Sequence, residues 1–179
     1  MDRLVMLHNP LWKEVFRDEA SAIHSVLGGN IIDVHHIGST SIPDILAKPI
    51  IDILVEVSSL NKVDLQSTQM KAFGYEVMGA YGIEGRRYFR KTDVRGIRTH
   101  HVHIFVAESN HVERHLAFRD FLIAHPKKAQ AYSQLKASLT RGGKASWDGY
   151  VDGKDPFIKA TEIEALIWFR AKRLSSVSG

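Results

Sequence analysis

Between Val34 and Val57 the chain reads VHHIGSTSIPDILAKPIIDILVEV, and this segment carries residue types suited to phosphate chemistry. A Gly-Ser pair at a turn, here Gly38 and Ser39, lets backbone N–H groups and a hydroxyl approach a phosphate closely. Thr40 follows them in the same corner. A helix starting there would add the partial positive charge of its N-terminus. Asp52, on a rigid strand beside the turn, is placed to bind Mg²⁺ or Mn²⁺, which bridges phosphate oxygens. Charge neutralisation and in-line positioning are what nucleotidyl transfer needs. The plain alternative is a common strand-end turn and a strand aspartate whose hydrogen bonds are satisfied.

Seven of the ten histidines cluster, as His35 and His36, then His100, His101 and His103, then His111 and His115. In THHVHIFVA, strand alternation puts His101 and His103 on one face and His100 on the other. Imidazole suits Zn²⁺, Fe²⁺, Mn²⁺ or Ni²⁺ better than Mg²⁺. Asp52, His101 and His103 are therefore the candidate metal ligands. A hydrogen-bonded histidine network, or a phosphate-binding surface, is the competing reading. The chain has no cysteine, which excludes a thiolate metal site and a disulfide framework.

Lys48, Arg86, Arg87, Lys91 and Arg98 lie in or beside these segments. Arginine suits bidentate phosphate contacts and lysine suits point-charge contacts. In GRRYF, Arg87 and Phe89 share one strand face while Arg86 and Tyr88 share the other. Only one arginine then points into a cleft, and Arg87 is the one favoured. A solvated surface is the usual fate of such a residue. His36, ending the strand before the turn, also comes within reach of the site.

These residues need elements to position them. Asn9 and Pro10 start a helix with Trp12, Val15, Phe16, Ile23 and Val26 at helical spacing, stopped by Gly28 and Gly29. Ile31 to Ile37 reads as a strand, followed by a loop with one short helical turn near Asp44 to Ala47. Ile50 to Val57 is the strongest strand, and Leu60 to Phe73 a helix ended by Gly74. Tyr75 to Lys91 reads as two strands joined by a turn, and Thr99 to Ala107 as another strand. Asn110 caps the next helix with Glu113 in the capping-box position. Pro126 starts a further helix, ended by Gly142 and Gly143. Arg141 to Gly153 reads as a glycine-rich loop, from which Tyr150 and Lys154 close over the site as a lid. Asp155 caps a last helix from Pro156, and the tail from Ser175 to Gly179 frays.

One helix, several strands with a helix between them, then three helices make an α/β (α+β) protein. A mixed β-sheet flanked by helices, with a helical C-terminal third, is the expected architecture, as a single domain over residues 1–179. With 44% hydrophobic residues the chain can bury a core. The formal charge of +4 fits an anionic ligand such as a nucleotide and permits RNA, although no RNA-binding motif is present. The apolar run at Ile50 to Val57 contains Asp52 and Glu56 and is too short to span a bilayer. No signal peptide is legible in the first residues, so a cytoplasmic location, without membrane association, is expected.

HIGSTSIPDILAKPIIDILVEV resembles the signature of the GrpB family, which lies in the nucleotidyltransferase superfamily. GRRYFRK (Gly85 to Lys91), THHVHIF (Thr99 to Phe105), FRDFLIAHP (Phe118 to Pro126) and the late Tyr150, Lys154, Phe157 and Ile158 resemble the same family in the same order. The resemblance implies a nucleotidyltransferase-like fold. Enzymes of that superfamily carry a Gly-Ser turn, two acids one residue apart on the next strand, and a third acid on a later strand. Gly38 and Ser39 match the turn, and Asp52 best matches the second acid, which leaves Ile50 in the first acid's place. Glu56 shares Asp52's face but lies about 13 Å away at strand rise, too far to share its ion. His101 and His103 stand where the third acid is expected.

Three activities follow as expectations. One is transfer of a nucleotidyl group, with Asp52 on a divalent metal (Mg or Mn, or Zn or another transition metal if histidines ligate) and Gly38, Ser39, Thr40, Lys48, Arg87 and Lys154 on phosphate. A second is a catalytically degenerate module that binds a nucleotide or phosphate ligand. The third is a His-rich metal-dependent hydrolase.

Overall fold

The structure is a computed structural model that describes residues 5–140 and 147–177. The elements run α1 (Trp12–Leu27), β1 (Ile31–Ile37), β2 (Ile51–Val57), α2 (Leu60–Leu65), α3 (Ser67–Ala72), β3 (Glu76–Gly79), β4 (Arg87–Thr92), β5 (Arg98–Val106), α4 (Asn110–Ala124), α5 (Pro126–Thr140) and α6 (Trp147–Val177). The five strands form one mixed sheet in the order β1-β2-β5-β4-β3. β2 and β5 are parallel and every other pair is antiparallel.

β2 is central, and its sequence shows why. IDILVEV is buried at every position except Asp52 and Glu56, as expected of a strand covered on both faces. One face carries Ile51, Ile53, Val55 and Val57 with Val102, Ile104 and Phe89, and packs on Trp12, Ile23, Leu27, Val63 and Met70 of the flanking helices. The other face is less apolar. Ile37, Leu54 and Phe105 pack there beneath Val112 of α4, with His101 and His103 of β5 beside them. A second core lies among α4, α5 and α6, and takes in Ile42 and Ile45 from the β1–β2 connection. Leu46 N–H donating to Ser133 Oγ (2.8 Å) and Gln130 Nε2 donating to Asp44 O (2.9 Å) pin that connection to α5.

Several boundaries differ from the sequence reading. The one helical turn after β1 is at Ser39–Ser41, not Asp44–Ala47. Asp44 has a φ of 60°, and Ala47 instead bridges to Met6. The helix read over Leu60 to Phe73 is broken at Gln66, whose Nε2 donates to Val26 O (3.0 Å). Ser109, not Asn110, caps α4 by accepting from Val112 N–H, and Glu113 pairs with Arg170.

The largest difference is α6, which begins at Trp147 and carries Pro156 in its interior. Tyr150, Lys154 and Asp155 are therefore helical, and Asp155 pairs with Lys159 one turn on instead of capping. Tertiary packing overrides propensity here. Tyr150 is buried, and a β-carbon at Gly153 would come 2.5 Å from Leu139 Cδ2, so glycine lets α6 lie close against α5. The helix continues through Ser175 and Ser176 to Val177. The expected stop at Gly142 and Gly143, the first part of the expected loop and the last two residues of the tail lie outside the described residues.

Candidate active site

Strand register builds the site. In β1–β2 Ile37 stands opposite Asp52, and in β2–β5 Asp52 stands opposite His101. Gly38 follows Ile37 directly, with φ 71° and ψ −173°. That conformation is essentially confined to glycine. It folds the chain over β2, so that a β-carbon at Gly38 would sit 2.5 Å from Asp52 Oδ2. The turn closes through Ser41 Oγ donating to Gly38 O (2.5 Å) and Ser41 N–H to the same carbonyl (3.1 Å). Thr40 is buried, with its hydroxyl 2.9 Å from His36 Nε2.

Two imidazoles converge on Asp52 Oδ1: His101 Nδ1 at 3.1 Å and His103 Nε2 at 3.7 Å. Burial works to raise the Asp52 carboxyl, but hydrogen bonds from His101 and His103 outweigh it and hold the group well below the usual carboxylate range. The carboxylate is still 28% exposed and faces a cavity. His101 Nε2 and His103 Nδ1 are buried with no hydrogen-bond partner among the described residues. Tyr88 stacks on His103 and stands edge-on to His101.

Lysines surround the corner from the helical half. Lys136 of α5 is 1% exposed, donates to Ser39 Oγ and to Leu46 O (2.9 Å), and lies 3.9 Å from the Tyr132 ring centroid. Lys48 and Lys154 each place Nζ 4.3 Å from the centroid of Tyr150. Burial, then the neighbouring Lys154 charge, pushes Lys48 down to about 8. Burial and that same charge push Lys136 well below the ordinary lysine value, and burial lowers Lys154. Desolvated cations with depressed basicity are poised for an anion.

Ser39, Thr40, Lys48, Asp52, His101 and Lys154 thus line one cavity of about 200 Å³, together with Ile50, Tyr150 and Val151. Gly38 forms its corner, and His103 stands behind Asp52. Lys154 reaches it from a helix, not from a lid loop. Arg87 is elsewhere: it lies on the opposite sheet face and makes a bidentate pair with Asp64 (2.5 and 2.8 Å). His36 turns away from the cavity and stacks on Phe16, and burial brings it down to about 4. Lys136 and Tyr132 were not singled out by the sequence reading. A signal for them exists, because Ala129, Tyr132, Ser133 and Lys136 follow the i, i+3, i+4, i+7 pattern of a buried helical stripe. A lysine in such a stripe needs a buried partner.

One ligating atom each of Asp52, His101 and His103 lies within 4.8 Å of the others. The set fits a single divalent ion, since two imidazole nitrogens already aim at one carboxylate oxygen. One carboxylate and two imidazoles favour Mn²⁺, Fe²⁺ or Zn²⁺ over Mg²⁺.

The fold is nucleotidyltransferase-like. It superimposes on Cid1, solved in complex with its short product ApU, with a TM-score of 0.50 and 11% identity over 74% of this chain and 40% of that one. That likeness speaks for the fold alone. The chain belongs to the GrpB family, whose model (GrpB protein) matches residues 4–164. The GrpB protein from Enterococcus faecalis superimposes with a TM-score of 0.87 at 45% identity, over 92% of this chain and 98% of that one. The UPF0157 protein YqkA of Bacillus subtilis is 46% identical over 94% of this chain. The chain spans 48% of the length of YqkA. Among the described residues no helix is long and apolar enough to cross a membrane.

Proposed function

We infer that the cavity binds a nucleotide or another small phosphate-bearing ligand, with a divalent transition-metal ion on Asp52, His101 and His103. The observation that carries this is the convergence of Lys48, Lys136 and Lys154 on the Gly38–Ser39 corner, opposite Asp52. Such a site has more cationic than anionic groups, in a partly desolvated setting where an anion restores the balance. Lys48 and Lys154 contact phosphate oxygens as point charges, and Lys136 orients the Ser39 hydroxyl. When bound, the ion would supply positive charge that neutralises charge developing in a nucleotidyl transfer. Asp52, His101 and His103 would hold it, each through one ligating atom.

Ile50 lines the cavity where the superfamily's first acid is expected, and that favours a second reading, binding without transfer. Thermal unfolding with nucleoside triphosphates, with and without Mn²⁺, tests the site. The midpoint is expected to rise with nucleotide and further with Mn²⁺, and Asp52→Asn is expected to lose the metal increment. A ligand at a hundred times its Kd stabilises by about 2.7 kcal/mol. No shift with any nucleotide or with inorganic phosphate, with or without metal, rejects the reading. Incubation with labelled nucleotide then separates transfer, which yields labelled product, from binding alone.

A further inference from the structure

A second cluster lies on the same sheet face as Asp52, at the other end of β1 and β2. Asp33 stands opposite Glu56, and His35 is two residues along β1. His35 Nε2 is 2.8 Å from Glu56 Oε2 and 3.6 Å from Asp33 Oδ2. One atom from each of the three lies within 4.8 Å of the others. Two carboxylates therefore converge on one imidazole nitrogen. A proton on that nitrogen satisfies one of them, whereas a cation in its place satisfies all three groups. No lysine or arginine among the described residues makes an ion pair with Asp33 or Glu56. The His35 and Glu56 side chains are only 17% and 13% exposed, so their positions are fixed, while Asp33 is 60% exposed and leaves the cluster open to solvent.

We propose that Asp33, His35 and Glu56 form a second metal site, taking one first-row divalent ion such as Zn²⁺ or Mn²⁺. A mixed set of one imidazole and two carboxylates suits those ions, and Zn²⁺ commonly completes three protein ligands with water. The site is separate from the Asp52 cluster. Asp52 and Glu56 are about 13 Å apart at strand rise, and the buried Leu54 lies between them on the same face of β2. β1 is an edge strand joined to the sheet only through β2, and its register shifts between Ile31 and Asp33. An ion held by Asp33, His35 and Glu56 ties this irregular end of the edge strand to the central strand. The role is structural and needs no nucleotide.

The test uses the full chain carrying Asp52→Asn, so that failure of the nucleotide reading leaves this result readable. Metal-free protein is titrated with Co²⁺ and followed by visible absorption and by the melting midpoint. The expected result is saturable uptake of one ion per chain, with a rise in midpoint. Adding His35→Gln is expected to abolish both, and adding Asp33→Asn to demand a higher metal concentration. No cobalt uptake by the Asp52→Asn protein, or uptake unchanged by His35→Gln, overturns the proposal. Should His35→Gln unfold the chain, Asp33→Asn decides. Its carboxylate is exposed and, among the described residues, bonds only the neighbouring Val34 N–H apart from the cluster, and unchanged uptake in that variant overturns the proposal equally.

Discussion

The α-carbon of Gly38 sits against the carboxylate of Asp52, close enough that a β-carbon there would come 2.5 Å from Oδ2. Two separate costs therefore fall on Gly38→Ala. Its φ of 71° with extended ψ is strained for any residue with a side chain, by roughly 1–3 kcal/mol. The new methyl must also push the Asp52 carboxylate away from His101. Chemical denaturation is expected to show a loss of stability of that order, and Mn²⁺-dependent nucleotide stabilisation to vanish with it. A variant with wild-type stability and wild-type metal dependence would show that the corner and the acid are not coupled.

Lys48 gives the ligand reading a pH signature. Burial and Lys154 bring its pKa to about 8, so in the ligand-free protein it loses its proton above that pH. A bound phosphate favours the charged form, and binding therefore takes up a proton. Affinity for nucleotide is expected to fall as pH rises above 8, well before the ordinary lysine value of 10.5. Isothermal titration across pH 7 to about 10 measures it. Lys48→Arg stays charged throughout this range and should reduce the decline. An affinity in the wild type that is flat over the same range argues against contact between Lys48 and the ligand.

The parts of this site that lie close together in sequence were legible there. Gly38, Ser39 and Asp52 fall within fifteen residues, and the strand alternation of His101 and His103 is visible in THHVHIF. What was hidden depends on distant packing. Lys136 meets Ser39 across 97 residues, and no local rule brings α5 to the turn. Both arginines of GRRYF look alike in sequence, so the motif alone does not separate Arg87 from Arg86. The pairing of β4 with β5 puts Tyr88 on the histidine face, and Arg87 goes to the other side. The start of α6 was obscured by Gly149, Gly153 and Pro156, residues that favour a loop on their own but serve close packing here. Similarly, His35 and His36 read as one pair, yet alternation sends them to opposite faces with unrelated partners.

Lys136 is a second source of pH dependence, and its sign is fixed by the direction of its shift. Burial and the Lys154 charge lower its pKa in the folded state. Between that lowered value and 10.5, the unfolded chain holds a proton that the folded chain does not, so stability rises with pH across this window. Lys136→Met removes that contribution to the slope. It also leaves the Ser39 hydroxyl and Leu46 carbonyl without their donor, a cost of about 1–3 kcal/mol per unsatisfied group, offset by relief of a desolvated charge. Denaturation at several pH values is expected to give a flatter profile for the variant, and nucleotide stabilisation is expected to weaken. Unchanged nucleotide stabilisation would reduce Lys136 to a fold-holding role.

Arg87 and Lys154 provide a matched contrast, since the sequence offers both as phosphate ligands and the structure separates them. Arg87 holds Asp64 in a bidentate pair whose members are 25% and 46% exposed. Exposed pairs contribute up to about 1 kcal/mol. Arg87→Ala is therefore expected to cost no more than that in stability and to leave nucleotide affinity unchanged. Lys154→Ala removes a cation from the cavity itself and is expected to lower affinity sharply while sparing the fold. Its loss also takes away the charge that helps depress Lys48, so the onset of weaker binding should move to higher pH in this variant. If Arg87→Ala abolished binding and Lys154→Ala did not, the ligand would have to sit on the α2 side of the sheet, and the cavity beside Asp52 would not be its site.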